Sequence, residues 1–129
     1  MVKSEKLCLI VDDQEFDRRM MRRVFTKEYP DFPMVIACDL AQARKKLLTS
    51  KVSIVFLDNA LPDGFGVDFV HELAQKDAFK RVPFVIVSDF PTPFMYAKAR
   101  ASNVREIWSK QDFNGPSLQR VMQQHTVLN

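Results

Sequence analysis

Residues 7–13 read Leu7-Cys8-Leu9-Ile10-Val11-Asp12-Asp13. The first five are apolar without a break, which is the length of one strand with no polar face. Such a strand belongs in a sheet covered on both sides. The run stops at two adjacent carboxylates, and the turn Val11-Asp12-Asp13-Gln14-Glu15 holds no glycine. Over residues 14–28 the period changes: Phe16, Met20, Met21, Val24 and Phe25 recur three to four apart, one apolar stripe of a helix that Pro30 ends. A buried strand followed by an amphipathic helix is the unit to look for in the rest of the chain.

The unit repeats. Residues 34–37 form a second strand, and Leu40, Ala43, Leu47 and Leu48 stripe a second helix with Asp39 as its N-cap. Residues 53–57 form a third strand that stops at Asp58, and Pro62-Asp63-Gly64 marks a turn. Val67, Phe69, Val70, Leu73 and Ala74 place a third helix. Residues 82–87 form a fourth strand, with Pro83 tolerable near its start, ending at Ser88-Asp89. Residues 93–100 follow as a short helix with Thr92 as N-cap and Pro93 at its first position. Residues 104–108 are the weakest strand, and residues 114–124 carry Leu118, Val121 and Met122 on a last helix. Five such pairs predict an α/β chain with a doubly wound five-stranded parallel sheet, order 2-1-3-4-5, flavodoxin-like, with ligands beyond the carboxyl ends of the strands. A small Rossmann half is the competitor. It fails at the glycine-free first turn, where pyrophosphate needs close backbone approach.

The length of 129 residues suits one domain, residues 1–129, with no room for a second sizeable one. At 47% hydrophobic and 27% charged the chain is not intrinsically disordered. A net charge of +3 is too small to name a nucleic-acid or membrane partner. Cys8 and Cys38 both sit in apolar runs and read as buried thiols of a reducing, cytoplasmic compartment. The amino-terminal residues 1–6 lead into no signal-peptide pattern, and no apolar stretch is long enough to insert in a membrane.

Polar residues gather where strands end: Asp12 and Asp13 after the first, Asp58 after the third, Ser88 after the fourth, Lys110 after the fifth. In a parallel sheet these stand at one edge. Each alone is commonly a helix cap, but a cap needs one side chain, and two adjacent aspartates exceed that need. Three converging carboxylates repel, and a hard divalent cation with oxygen ligands, Mg²⁺, relieves them.

These residues carry a resemblance. Leu9-Ile10-Val11-Asp12-Asp13, Leu57-Asp58 with Leu61-Pro62 and Gly66, Val85-Ile86-Val87-Ser88 and Lys110 are together similar to the receiver domain of two-component response regulators, from about Leu7 to Met122. The resemblance implies Asp58 as phosphoacceptor. It implies Asp12, Asp13, Asp58 and the backbone carbonyl of Ala60 around Mg²⁺, Ser88 as the hydroxyl on a phosphoryl oxygen, and Lys110 as the cation that pairs with acceptor and phosphoryl group. It implies a sensor histidine kinase or histidine phosphotransfer protein as donor and a downstream protein target. No direct nucleic-acid contact is expected, because no reader motif is present. Catalysis extends at most to the chain's own phosphorylation and dephosphorylation. A phosphorylation-independent interaction module is the alternative, and a metal-dependent phosphatase on a similar fold a third class.

The chain departs from that family at three places. A proline in a cis bond usually follows the lysine. Here Gln111 follows, and a non-proline cis bond costs about 2.5–4 kcal/mol, so a trans bond is expected. An aromatic residue usually lies three before the lysine. Here it is Ile107, with Trp108 facing the other way. Asp89 replaces a small residue after Ser88, and either adds a carboxylate near the site or faces water. Phe94-Met95-Tyr96 reads as core rather than interface, and any part of it that is exposed marks a partner surface. Arg18, Arg19, Arg22, Arg23 and Lys27 crowd the first helix, as a solvated face or as the docking surface for the histidine donor that the resemblance implies.

Overall fold

A computed structural model describes residues 6–125; residues 1–5, most of the stretch read above for a leader, lie outside the described residues. In chain order the elements are β1 (Cys8–Val11), α1 (Glu15–Glu28), β2 (Met34–Ala37), α2 (Leu40–Thr49), β3 (Ile54–Leu57), β4 (Ala60–Leu61), β5 (Gly64–Phe65), α3 (Gly66–Ala74), β6 (Phe84–Val87), α4 (Pro93–Arg100), β7 (Val104–Trp108) and α5 (Gly115–Gln124), with single 3₁₀ turns at Asp77–Phe79 and Lys110–Asp112. The main sheet runs β2-β1-β3-β6-β7, with every neighbouring pair parallel. This is the predicted order 2-1-3-4-5. The extra pair, β4 and β5, is a separate antiparallel ribbon around the Pro62-Asp63-Gly64 turn, and Gly64 has φ of 149°, a value that suits a residue without Cβ.

The uninterrupted apolar runs explain the sheet: β1, β3 and β6 are buried along their whole length. Alternate residues serve opposite faces. Leu9, Val11, Val55, Leu57, Phe84 and Ile86 join residues of α2, α3 and α4 in one core layer. Cys8, Ile10, Ile54, Phe56, Val85, Val87 and Trp108 join Met21 and Phe25 of α1 and Leu118, Val121 and Met122 of α5 in the other. There the Phe56 ring lies 5.6 Å from Trp108 and 5.2 Å from Phe113. The weak fifth strand is real but irregular: Phe84 faces Val104 while Val85 faces Glu106, so its register slips by one residue.

The expected caps are present. The side chains of Asp39, Thr92 and Asn114 accept from the backbone N–H groups of Gln42, Met95 and Ser117. Asn114 is therefore the cap of α5 and not its first residue. Two readings need correction. Both cysteines are free, but only Cys8 is buried; Cys38 lies just past the end of β2 and is partly exposed. Of Phe94, Met95 and Tyr96 only Met95 is core, whereas Phe94 and Tyr96 are exposed, because neighbours on a helix point about 100° apart. Among the described residues no helix is long and apolar enough to cross a membrane.

Candidate functional site

Parallel pairing puts the carboxyl ends of β1, β3, β6 and β7 on one edge, with Val11 opposite Leu57 and Val87 opposite Trp108. The residues that follow these ends form a cleft. Asp12 is fully buried, and its Oδ1 accepts from the Gln14 N–H at 2.9 Å. Asp58 follows β3 and is partly buried; its N–H continues the ladder to the Val11 carbonyl at 2.9 Å. Each of Asp12, Asp13 and Asp58 offers a carboxylate oxygen within 4.8 Å of the others. A cluster of hard, anionic oxygens is the donor set a hard divalent cation takes, so these residues fit Mg²⁺. The Ala60 N–H lies 3.4 Å from the Asp58 carboxylate.

Lys110 opens the 3₁₀ turn after β7 and is nearly buried. Its Nζ donates to Asp12 Oδ2 and lies 3.6 Å from Asp58 Oδ2 and 3.3 Å from Asp17 Oδ2. Burial pushes the Asp58 carboxyl above its ordinary pKa. The Lys110 charge opposes that shift, Asp12 adds to it, and the N–H groups of Ala60 and Asn59 oppose it weakly, leaving the net direction upward. For Lys110 burial works against the ammonium. The hydrogen bond to Asp12 and the charges of Asp12, Asp58 and Asp17 outweigh it, so its pKa is raised. Ser88, buried at the end of β6, donates its N–H to the Trp108 carbonyl at 2.8 Å.

The glycine eight after Asp58 has a physical reason. A Cβ on Gly66 would lie 2.5 Å from the backbone oxygen of Asp58. Only glycine lets the start of α3 come that close to the acceptor loop. Asn59 helps fix the same loop, since its Oδ1 accepts from the Val67 N–H at 3.0 Å.

The structure thus brings Asp12, Asp13, Asp58 and Lys110 together and places Ser88 just after β6 and Ala60 at the start of β4. Sequence reasoning missed two participants. Asp17 was not among the candidate site residues, yet it reaches Lys110. Arg18 donates from Nη1 to the Asp12 backbone oxygen at 3.1 Å. The signal was available: both lie in the first turns of α1, and a helix that follows a strand begins at the same edge where that strand ends. Asp89, left open between the site and water, is exposed and accepts from the Lys110 N–H at 3.0 Å. No peptide bond among the described residues is cis, so Lys110 and Gln111 are joined in trans. Ile107 and Trp108 do face opposite ways, one toward each core layer.

Three kinds of likeness accompany this geometry. Among solved structures, a two-component response regulator from Legionella pneumophila superimposes with a TM-score of 0.82 at 19% identity, over 97% of this chain and all (100%) of that one. The phosphorylated cyanobacterial phytochrome response regulator RcpA gives 0.81 at 18% identity, over 95% and 96%. By sequence, the transcriptional regulatory protein DpiA of Escherichia coli (strain K12) is 36% identical over 70 residues, 54% of this chain and 31% of that protein. Stress response regulator protein 1 of Scheffersomyces stipitis is 31% identical over 80 residues, 62% of this chain and 28% of that protein. The chain spans about a third of the length of these relatives. The family model for the response regulator receiver domain matches residues 8–122, nearly the whole chain, with the strand-end carboxylates and Lys110 inside the match. The chain is therefore a member of the response regulator receiver domain family.

Proposed function

We propose that the chain is a single receiver domain that accepts a phosphoryl group on Asp58 from a phosphohistidine, on a sensor histidine kinase or a histidine phosphotransfer protein, and signals through contact with a downstream protein. The observation that carries this reading is the Asp58 carboxylate, partly buried beside Asp12 with the Lys110 ammonium 3.6 Å away. Asp58 attacks phosphorus, a P–O bond forms, the P–N bond to the donor imidazole breaks, and the imidazole takes a proton as it leaves. Lys110 turns from the carboxylates toward the phosphoryl oxygens, and the Ser88 hydroxyl donates to another of them. Asp12, Asp13, Asp58 and the Ala60 carbonyl would hold Mg²⁺, which when bound supplies positive charge against the equatorial oxygens.

The donor approaches along α1. An open groove of about 750 Å³ there is lined by Phe16, Met20, Phe90, Lys110 and Phe113. Phe16 is 81% and Phe90 89% exposed, and large apolar rings left in water beside a reactive group suit a partner surface. The work belongs in the cytoplasm, without direct nucleic-acid contact. The alternative, a phosphorylation-independent interaction module, draws on Gln111, Ile107 and Asp89.

Intact mass spectrometry after incubation with acetyl phosphate and Mg²⁺ separates the two readings. The expected result is a gain of one phosphoryl group, lost with EDTA and lost in Asp58→Asn. A wild-type chain that gains nothing, from acetyl phosphate or from phosphorylated histidine kinases, overturns the phosphoacceptor reading in favour of the interaction module.

A further inference from the structure

We propose that Asp89 is a positioning residue for Lys110: its carboxylate fixes the backbone of the lysine turn and so keeps the ammonium within reach of Asp12 and Asp58. The effect on phosphorylation rests on the phosphoacceptor reading; the effect on the turn does not. The last backbone hydrogen bond from β6 toward β7 is the Ser88 N–H to the Trp108 carbonyl at 2.8 Å. One step further, the Lys110 N–H finds a side chain in place of a carbonyl, Asp89 Oδ1 at 3.0 Å. A carboxylate thus extends the ladder past the end of the strand. On the far side of the turn the Asp112 carboxylate accepts from the Ser109 N–H at 3.0 Å and from the Ser109 hydroxyl at 3.1 Å. The backbone of Lys110 is held from both flanks, around a trans bond to Gln111.

This arrangement has a mechanical consequence. Ser88 and Asp89 are adjacent, so the loop that carries the hydroxyl also grips the residue that carries the ammonium. The two groups that would meet phosphoryl oxygens are joined through one carboxylate oxygen. Asp89 acts through the N–H it binds, so what matters is an acceptor oxygen at Oδ1 and not the negative charge. A carboxamide supplies the same oxygen.

Asp89→Ala and Asp89→Asn in the full chain test this. Two quantities are read: the Mg²⁺-dependent labelling rate with acetyl phosphate, and the hydrogen exchange of the Lys110 amide by NMR. In Asp89→Ala labelling slows by about three- to ten-fold, the size of one net hydrogen bond expressed as a rate, and the Lys110 amide exchanges faster by a similar factor. Asp89→Asn recovers both to within about two-fold of wild type, which general loosening of the fold would not produce. Wild-type labelling in Asp89→Ala overturns the proposal. So does Asp89→Asn slowed as much as Asp89→Ala, which would assign the effect to charge. If the wild-type chain takes no label, the phosphoacceptor reading fails by itself, and amide exchange decides this one: unchanged Lys110 protection in Asp89→Ala overturns it, and lost protection restored in Asp89→Asn supports it.

Discussion

On the β1–β3 side of the cleft, Asp12 and Asp58 leave strands buried along their whole length, and the backbone holds them. The Asp58 N–H continues the ladder, the Gln14 N–H fixes Asp12, and Gly66 lets α3 close on the loop. On the β6–β7 side, Ser88 leaves an equally buried strand, but Asp89 and Gln111 are exposed. The turn that carries Lys110 is fastened by side chains, Asp89 and Asp112. The first half is set by the strand ladder, by an aspartate that holds its own turn and by one glycine; in the second, carboxylates two or more positions away fasten the lysine turn. A family can therefore keep the acceptor half and rebuild the lysine half, and this chain departs from the family pattern only in the second.

Removing the cation that reaches across the cleft gives the largest effect. Lys110→Ala leaves Asp12 and Asp58 facing each other without the ammonium. Breaking a buried pair this way costs about 3–5 kcal/mol. Thermal melts in EDTA are expected to fall accordingly, and added Mg²⁺ is expected to restore more of the loss in the variant than it adds to wild type. Equal melting of both proteins in EDTA would mean that the carboxylates of the acceptor half tolerate each other unaided. Next comes Gly66→Ala, which tests the backbone-built half directly. Its Cβ meets a backbone oxygen at 2.5 Å, which no rotamer change can relieve. The cost is expected near the top of the overpacking range, about 3 kcal/mol by urea denaturation, together with slower labelling of Asp58. A variant as stable as wild type would show that the acceptor loop is softer than its packing implies.

The same contrast decides what could be read from the sequence. The strands, their order and the cluster of Asp12, Asp13, Asp58 and Lys110 were legible, because uninterrupted apolar runs such as residues 7–11 and 54–57 allow little but buried parallel strands. Once the strands are parallel, the residues after them share an edge. Long-range contacts made by one side chain were not legible. Nothing in the order of residues tells that Asp89 reaches the Lys110 N–H, or that Asp63 accepts from the Leu40 and Ala41 N–H groups at the start of α2. Carboxylates on loops have several partners within reach, and the choice is made by the fold. Phe94-Met95-Tyr96 was misread for a related reason: composition alone does not give the rotation of a short helix about its axis.

Restoring the proline usual in this family is expected to harm the lysine half. Lys110 begins a 3₁₀ turn, and a residue before proline is pushed away from helical backbone angles. Gln111→Pro therefore conflicts with the turn that Asp89 and Asp112 hold. The expected loss is near the lower end of about 1–3 kcal/mol, with slower labelling. A variant that labels faster than wild type would show that the trans turn is an obstacle and not a working alternative.

The smallest effect lies at the sheet edge beyond the lysine half, where side chains again do the fastening. The Glu106 carboxylate on β7 accepts from Arg120 Nη1 at 2.6 Å, from Arg120 Nη2 at 2.8 Å and from the Trp108 indole at 2.8 Å. The Arg120 hydrogen bond is the main reason its pKa lies below the ordinary 4.5, with burial opposing and Trp108 assisting. A lowered carboxyl pKa means that the unfolded chain binds more protons within the window between the two values. The contribution to stability is then complete above about pH 4.5 and is lost as the pH falls through the folded value. Asp58 has the opposite sign, because its raised pKa makes protonation favour the folded state. Glu106→Gln cannot ionise, so its stability gap to wild type is expected to be complete at neutral pH and to close on acidification. The gap should stay under about 1 kcal/mol, since Arg120 is half exposed and solvent screens the pair. Urea titrations followed by the fluorescence of Trp108, the one tryptophan of the chain, measure the gap at each pH. A gap that persists unchanged well below pH 4.5 would mean that Glu106 holds β7 through the geometry of its hydrogen bonds, in the manner of the acceptor half, and not through its charge.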